Sequence, residues 1–180
     1  MVGILHILFI IGLIMSIIDP YNQYLAPKPQ TQDEDVKILV NDFKNLMSGV
    51  IEKEVVDNVE ITMANLKPPI AGLCWLERKN KLIYLDIKTW KGYSKLQKEV
   101  LLFHELGHCV CDLDHEHFHG VYPEDPVVPK NEIEKIKAGF LEDGCPVSIM
   151  HPRVLSNSCY KKHRTFYRYE LNVRCYARKN

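Results

Sequence analysis

An excess of either charge is missing from this chain. Across 180 residues, 23 Lys and Arg stand against 23 Asp and Glu, so the formal net charge is zero with His neutral. A domain whose main task is gripping nucleic acid carries a basic excess, so no nucleic-acid partner is expected. With 46% apolar residues, the composition excludes a disordered chain, and it has neither the periodic glycine of a collagen nor the repeated apolar runs of a multi-span membrane protein. No internal repeat is visible. The six cysteines include no C-x-x-C pair, which disfavours a cysteine-based zinc site. One globular domain is expected at this length, and a monomer.

The single long apolar run covers residues 2–18, interrupted by Gly3, His6, Gly12 and Ser16. It sits at the lower limit for a bilayer-spanning helix. No Lys or Arg precedes it, and Asp19-Pro20 follows where a cleavage signal would carry small residues. Residues 1–18 are therefore read as a signal peptide or a signal-anchor, the uncleaved anchor being favoured. The chain is expected to be membrane-anchored or exported. Residues 19–32, with Pro20, Pro27 and Pro29, read as an extended linker. Residues 33–180 form the expected domain.

Apolar residues at helical spacing from Val36 to Ile51 predict an amphipathic helix over 33–54, with Asp33, Glu34 and Asp35 suited to its start. Alternation at Val59, Ile61 and Met63 predicts a strand within 55–64, broken at Lys67-Pro68-Pro69. Two apolar runs, 72–77 and 82–87, flank Arg78-Lys79-Asn80-Lys81 and read as a β-hairpin. Ser94-x-x-Gln97 is the signature of a capping box, and the helix it opens continues through Val110. A short helix over 131–141 closed by Gly144, a tight turn over 146–152 and a last helix within 160–176 complete the pattern.

His104-Glu105-Leu106-Gly107-His108 falls inside the capped helix. Two histidines at i and i+4 project from one helix face and can reach a single Zn²⁺ ion. Glu105, adjacent but not required as a ligand, is placed to act as general base on a metal-bound water. In a chain with 8 His, chance would produce such a pattern on the order of 0.03 times. A catalytic zinc takes three protein ligands and keeps one position open. Asp112, Asp114, His115, His117 and His119 follow at once as candidates for the third.

Here the sequence resembles the metzincin metallopeptidases, whose signature is H-E-x-x-H-x-x-G-x-x-H with a later Met-turn. Aligned without gaps, Cys111 falls on the family glycine and Asp114 on the third ligand. With one inserted residue, Leu113-Asp114-His115 matches the L-D-H of matrixin- or archaemetzincin-like members. Ser148-Ile149-Met150-His151-Pro152 is similar to the Met-turn. The resemblance implies an α+β fold: a small mixed sheet packed on an N-terminal helix and an active-site helix, then Met-turn and C-terminal helix. It implies one catalytic Zn²⁺ held by His104, His108 and His115, with Asp114 as the alternative third ligand. Met150 would lie beneath the metal as packing support. Glu105 would activate water against a protein or peptide substrate.

The resemblance also implies an edge strand that pairs with substrate backbone, and 82–87 is the strand expected to do so. The loop over 122–129 would shape the pocket beyond the scissile bond. His117 and His119 are candidates for an accessory metal site, although loop histidines are commonly just exposed. His151 is read as structural. Pro152 stands where some metzincins have a Tyr that helps at the metal.

Six cysteines (74, 109, 111, 145, 159 and 175) allow 15 pairings, and their even number with an export-like N-terminus suits disulfides. Cys109 and Cys111 are not expected to bond each other. One of them is expected to reach Cys145 or Cys159. Residues 160–180 hold seven Lys and Arg (161, 162, 164, 168, 174, 178 and 179) against Glu170 alone. That stretch is either a solvated helix face or a contact surface for membrane phosphates or an acidic partner. The second option supports an alternative function: a non-catalytic, zinc-stabilised interaction module at a membrane surface.

Overall fold

A computed structural model describes residues 33–76, 81–115 and 140–179. The N-terminal segment (1–18), the linker (19–32), the hairpin turn at 78–80, His117, His119, the 122–129 loop and most of the helix expected over 131–141 lie outside the described residues. The elements in chain order are α1 (Glu34–Leu46), α2 (Lys53–Asp57), β1 (Glu60–Ala64), β2 (Gly72–Trp75), β3 (Leu82–Asp86), α3 (Ile87–Gly92), α4 (Lys95–Cys111) and α5 (Asn157–Lys179). This is an α+β fold with one small mixed sheet. No helix among the described residues is long and apolar enough to cross a membrane.

Asp33 caps α1 by accepting from the Asp35 N–H at 2.9 Å, and its other oxygen takes the Trp90 indole N–H at 3.2 Å. Val36, Leu39 and Phe43 form the buried stripe. The helix ends at Leu46, eight residues short of the sequence expectation. Gly49 lies at φ +82°, a left-handed conformation that breaks the helix at little steric cost to glycine. The apolar spacing continues past it because Met47, Val50 and Ile51 still pack on the core from a turn. The start of the expected strand, from Val55, is instead part of the short helix α2, and β1 begins at Glu60.

The sheet has strand order β1-β3-β2, with β1 parallel and β2 antiparallel to β3. The hairpin pairing of the two apolar runs is therefore present. However, β3 is the central strand, and all five of its residues are buried. It cannot offer a free edge to substrate, which corrects the assignment of 82–87 to that role. Among the described residues, the sheet edge near α4 belongs to β2. Asp86 ends β3 and caps α3, accepting from the Thr89 N–H and hydroxyl and from the Leu66 N–H.

The capping box at Ser94 and Gln97 is formed, and α4 runs 17 residues from it. It packs against α1, β2, β3 and α5 and so forms the axis of the core. Phe103 on α4 meets Phe43 on α1 edge to face, with ring centroids 5.3 Å apart. On its other side, Glu99 is buried and receives the Tyr160 hydroxyl and the Arg164 and Arg168 guanidiniums from α5 at 2.8–3.0 Å.

Three disulfides join Cys74 to Cys109, Cys111 to Cys175 and Cys145 to Cys159. Cys109 and Cys111 face different partners, as two positions separated by about 200° around a helix must. Neither reaches Cys145 or Cys159, contrary to expectation. Cys109 faces β2, Cys111 faces the end of α5, and Cys145 and Cys159, only 14 residues apart, bond each other.

Candidate metal centre

α4 presents His104 and His108 one turn apart, and the chain must then reverse to bring a third group back. Asp112 makes that reversal at φ 54° and ψ 36°, with its N–H bonded to the Gly107 carbonyl. The left-handed region suits glycine best and Asp next, because a short polar side chain can be held locally. Here the carboxylate is clamped by Lys81 at 2.8 Å and Lys179 at 2.7 Å. Burial opposes its ionisation, but the bonds from Lys179 and Lys81 hold its pKa below the usual carboxylate value. The turn brings His115 back over the helix.

His104, His108 and His115 place one ring nitrogen each within 4.8 Å of one another. The His104 Nε2 is 3.0 Å from the Nε2 of both His108 and His115. Asp114 is exposed and is not part of this group. The His104 Nδ1–H donates to the Ile149 carbonyl at 2.8 Å, and the His108 Nδ1–H donates to the Leu113 carbonyl. A carbonyl only accepts, so both Nδ1 atoms carry the proton; burial lowers the pKa of both rings, and in the neutral rings both Nε2 atoms are bare. Two bare lone pairs 3.0 Å apart repel unless a cation lies between them. The donor set therefore fits a metal ion. Burial, aided by the neighbouring His108 and His115, pushes the His104 pKa down to about 3, which keeps the ring neutral and able to coordinate.

Glu105 lies beside the trio under the edge strand. It is buried, and desolvation pushes its pKa up to about 8 against the stabilising N–H of Cys74. Gly72 makes the close approach possible: a Cβ there would sit 2.6 Å from the Glu105 Oε1 and 2.8 Å from its Cγ. The Cys74–Cys109 bond ties the same strand to the same helix.

The turn at Ser148–Met150 closes the site from below. Met150 is fully buried, and a Cβ on Gly107 would meet its sulfur at 2.6 Å. Helix and turn touch so closely only because the fourth residue of His104–His108 is glycine. No motif in the sequence marks Gly72, whereas Gly107 inside a helix otherwise free of glycine is a visible signal. His151 stays outside the metal group, accepting from the Arg153 N–H at 3.2 Å and packing near Phe140.

A cleft of about 400 Å³ opens over Glu105, His108 and His115. Its walls include Gly72, Leu73 and Cys74 of β2, Leu76, Leu113 and Arg178. A second set, Asp143, Cys145 and His163, clusters elsewhere, but Cys145 is disulfide-bonded and Asp143 pairs with Lys162 and His163. Five of the seven basic residues near the C-terminus are paired internally: Lys162 with Asp143, Arg164 and Arg168 with Glu99, Arg174 with Glu170, and Lys179 with Asp112. The chain matches no family model, no curated protein and no solved structure.

Proposed function

We propose that the chain is a zinc-dependent endopeptidase with a metzincin-like catalytic domain. The observation that carries this reading is the convergence of three imidazoles, two of them locked with Nε2 bare, beside a buried carboxylate on the same helix. Zinc fits this donor set: tetrahedral bonds of about 2.0–2.1 Å put ligand nitrogens about 3.3 Å apart, near the separations found here. His104, His108 and His115 would hold the ion, and three ligands leave one position for substrate or water. When bound, zinc supplies Lewis acidity that polarises a scissile carbonyl and lowers the pKa of water towards about 7.

The residues of the chain then divide the work. Glu105 takes a proton from the attacking water and returns it to the leaving amine, a task suited to a group whose pKa lies near neutrality. β2 is an edge strand on the cleft wall, so an extended peptide can add to it by backbone hydrogen bonds and pass over Glu105. Leu73, Leu76 and Leu113 give that path apolar contacts. Met150 packs under the helix and supports the ligand geometry without binding the ion.

The binding-module alternative loses its main support, because Lys161 and Arg178 are the cations of the C-terminal stretch left without an acidic partner among the described residues. The deciding experiment is cleavage of a mixed peptide library by the zinc-loaded full chain beside Glu105→Ala. Cleavage by the wild type, lost in the variant while zinc stays bound, is expected. Equal zinc binding with no cleavage by either protein would overturn the reading.

A further inference from the structure

We propose that Glu170, on α5 and outside the ligand set, is a positioning residue that sets the metal affinity through the Ser148–Met150 turn. The inference rests on the metal-centre reading. Glu170 is 4% exposed, and its Oε1 accepts from the Ser148 hydroxyl at 2.9 Å and from Arg174 at 2.9 Å. The Ser148 oxygen in turn accepts from the Met150 N–H at 2.9 Å and from Arg174 at 3.0 Å. Between Ser148 and Met150 lies Ile149, whose carbonyl takes the His104 Nδ1–H at 2.8 Å. An unbroken set of hydrogen bonds thus runs from a buried carboxylate to the nitrogen opposite the ligating one.

Two consequences follow from this path. The Ile149 carbonyl fixes both the tautomer and the ring plane of His104, and such outer partners commonly change metal affinity 10–100-fold when removed. The turn that aims this carbonyl has no strand or helix of its own to hold it, so its side-chain anchor governs the aim. Glu99 offers a contrast. It forms an equally buried network between α4 and α5, and its partners there are Tyr160, Arg164 and Arg168 rather than the 148–150 turn. Loss of Glu99 weakens helix packing without disturbing the carbonyl opposite His104.

The test compares zinc dissociation constants of the full-length wild type, Glu170→Gln, Ser148→Ala and Glu99→Gln, by competition with a chromophoric chelator well below each melting temperature. Apo-protein melting temperatures are recorded alongside. Glu170→Gln and Ser148→Ala are expected to weaken zinc about 10–100-fold, while Glu99→Gln lowers the apo melting temperature and leaves the dissociation constant within about 3-fold. If Glu170→Gln fails to fold, Ser148→Ala alone decides. Unchanged zinc affinity in Ser148→Ala, or equal weakening in Glu99→Gln, would overturn the positioning role. Failure of the wild type to bind zinc would overturn it together with the metal centre. Because the readout is affinity, absence of peptidase activity would strike the proposed function and leave this inference standing.

Discussion

His104 and His108 each donate the Nδ1 proton to a backbone carbonyl, and this decides what their other nitrogens can do. Residue by residue, the site follows from such local constraints. His115→Ala is expected to abolish stoichiometric zinc binding, whereas Asp114→Ala retains it, because Asp114 is outside the converging group. Metal analysis after dialysis checks this, and the reverse pattern would make Asp114 the ligand. Gly72→Ala forces a methyl group into the Glu105 carboxylate, and a displacement of about 1 Å at a catalytic base lowers kcat/KM about 100-fold. Zinc content is expected to stay unchanged; normal turnover in that variant would show that Glu105 need not sit under β2.

Glu105 also gives the metal-free protein a pH signature. Its folded pKa of about 8 is raised from 4.5 by burial, so its stabilising contribution is full below pH 4.5 and lost as pH rises towards 8. The histidines act oppositely: His104, held down from 6.5 to about 3, removes stability as pH falls below 6.5. Between pH 6.5 and 8 the loss from Glu105 is therefore the term these two groups leave uncompensated. Melting temperatures in chelator should fall across that window more steeply for the wild type than for Glu105→Gln. Parallel curves would contradict the burial assigned to Glu105.

At the scale of elements, α4 was the most legible feature, because the capping box, the apolar spacing and the two histidines agree along one helix. The sheet was legible as strands but not in order. Leu82-Ile83-Tyr84-Leu85 is a continuous apolar run, and such a run marks a strand covered on both faces rather than an edge. The apolar spacing predicts an α1 that ends eight residues later than the helix that forms, because Gly49 ends the helix while the apolar positions beyond it remain useful to the core. The sequence has no glycine shortly after His108, yet Asp112 makes a left-handed turn there with two lysines holding its side chain. Those lysines lie 31 and 67 residues away, so no local pattern announces them. Glu99→Ala removes the buried acceptor of Arg164, Arg168 and Tyr160, and is expected to destabilise the fold by about 3–5 kcal/mol in urea titration. A change under about 1 kcal/mol would mean that the α4–α5 contact is held by apolar packing alone.

Over the whole molecule, two disulfides tie down α4 just after the histidine pair: Cys109 joins it to β2 and Cys111 joins it to the end of α5. Excluding a Cys109–Cys111 bond leaves most of the fifteen pairings open in the sequence, and the placement of β2 and α5 around α4 selects among them. The basic C-terminal stretch had the same ambiguity, since charge along a helix does not reveal the acids it meets. Its partners Glu99, Asp112 and Asp143 come from distant parts of the chain. These contacts make α5 a strut for α4 and the 148–150 turn.

X-ray absorption at the zinc edge of the loaded full chain addresses the account most directly. Three imidazole nitrogens and one further light atom at about 2.0–2.1 Å, without sulfur, are predicted for an open three-histidine site. Sulfur scattering at about 2.3 Å, or fewer than three imidazoles, would contradict it.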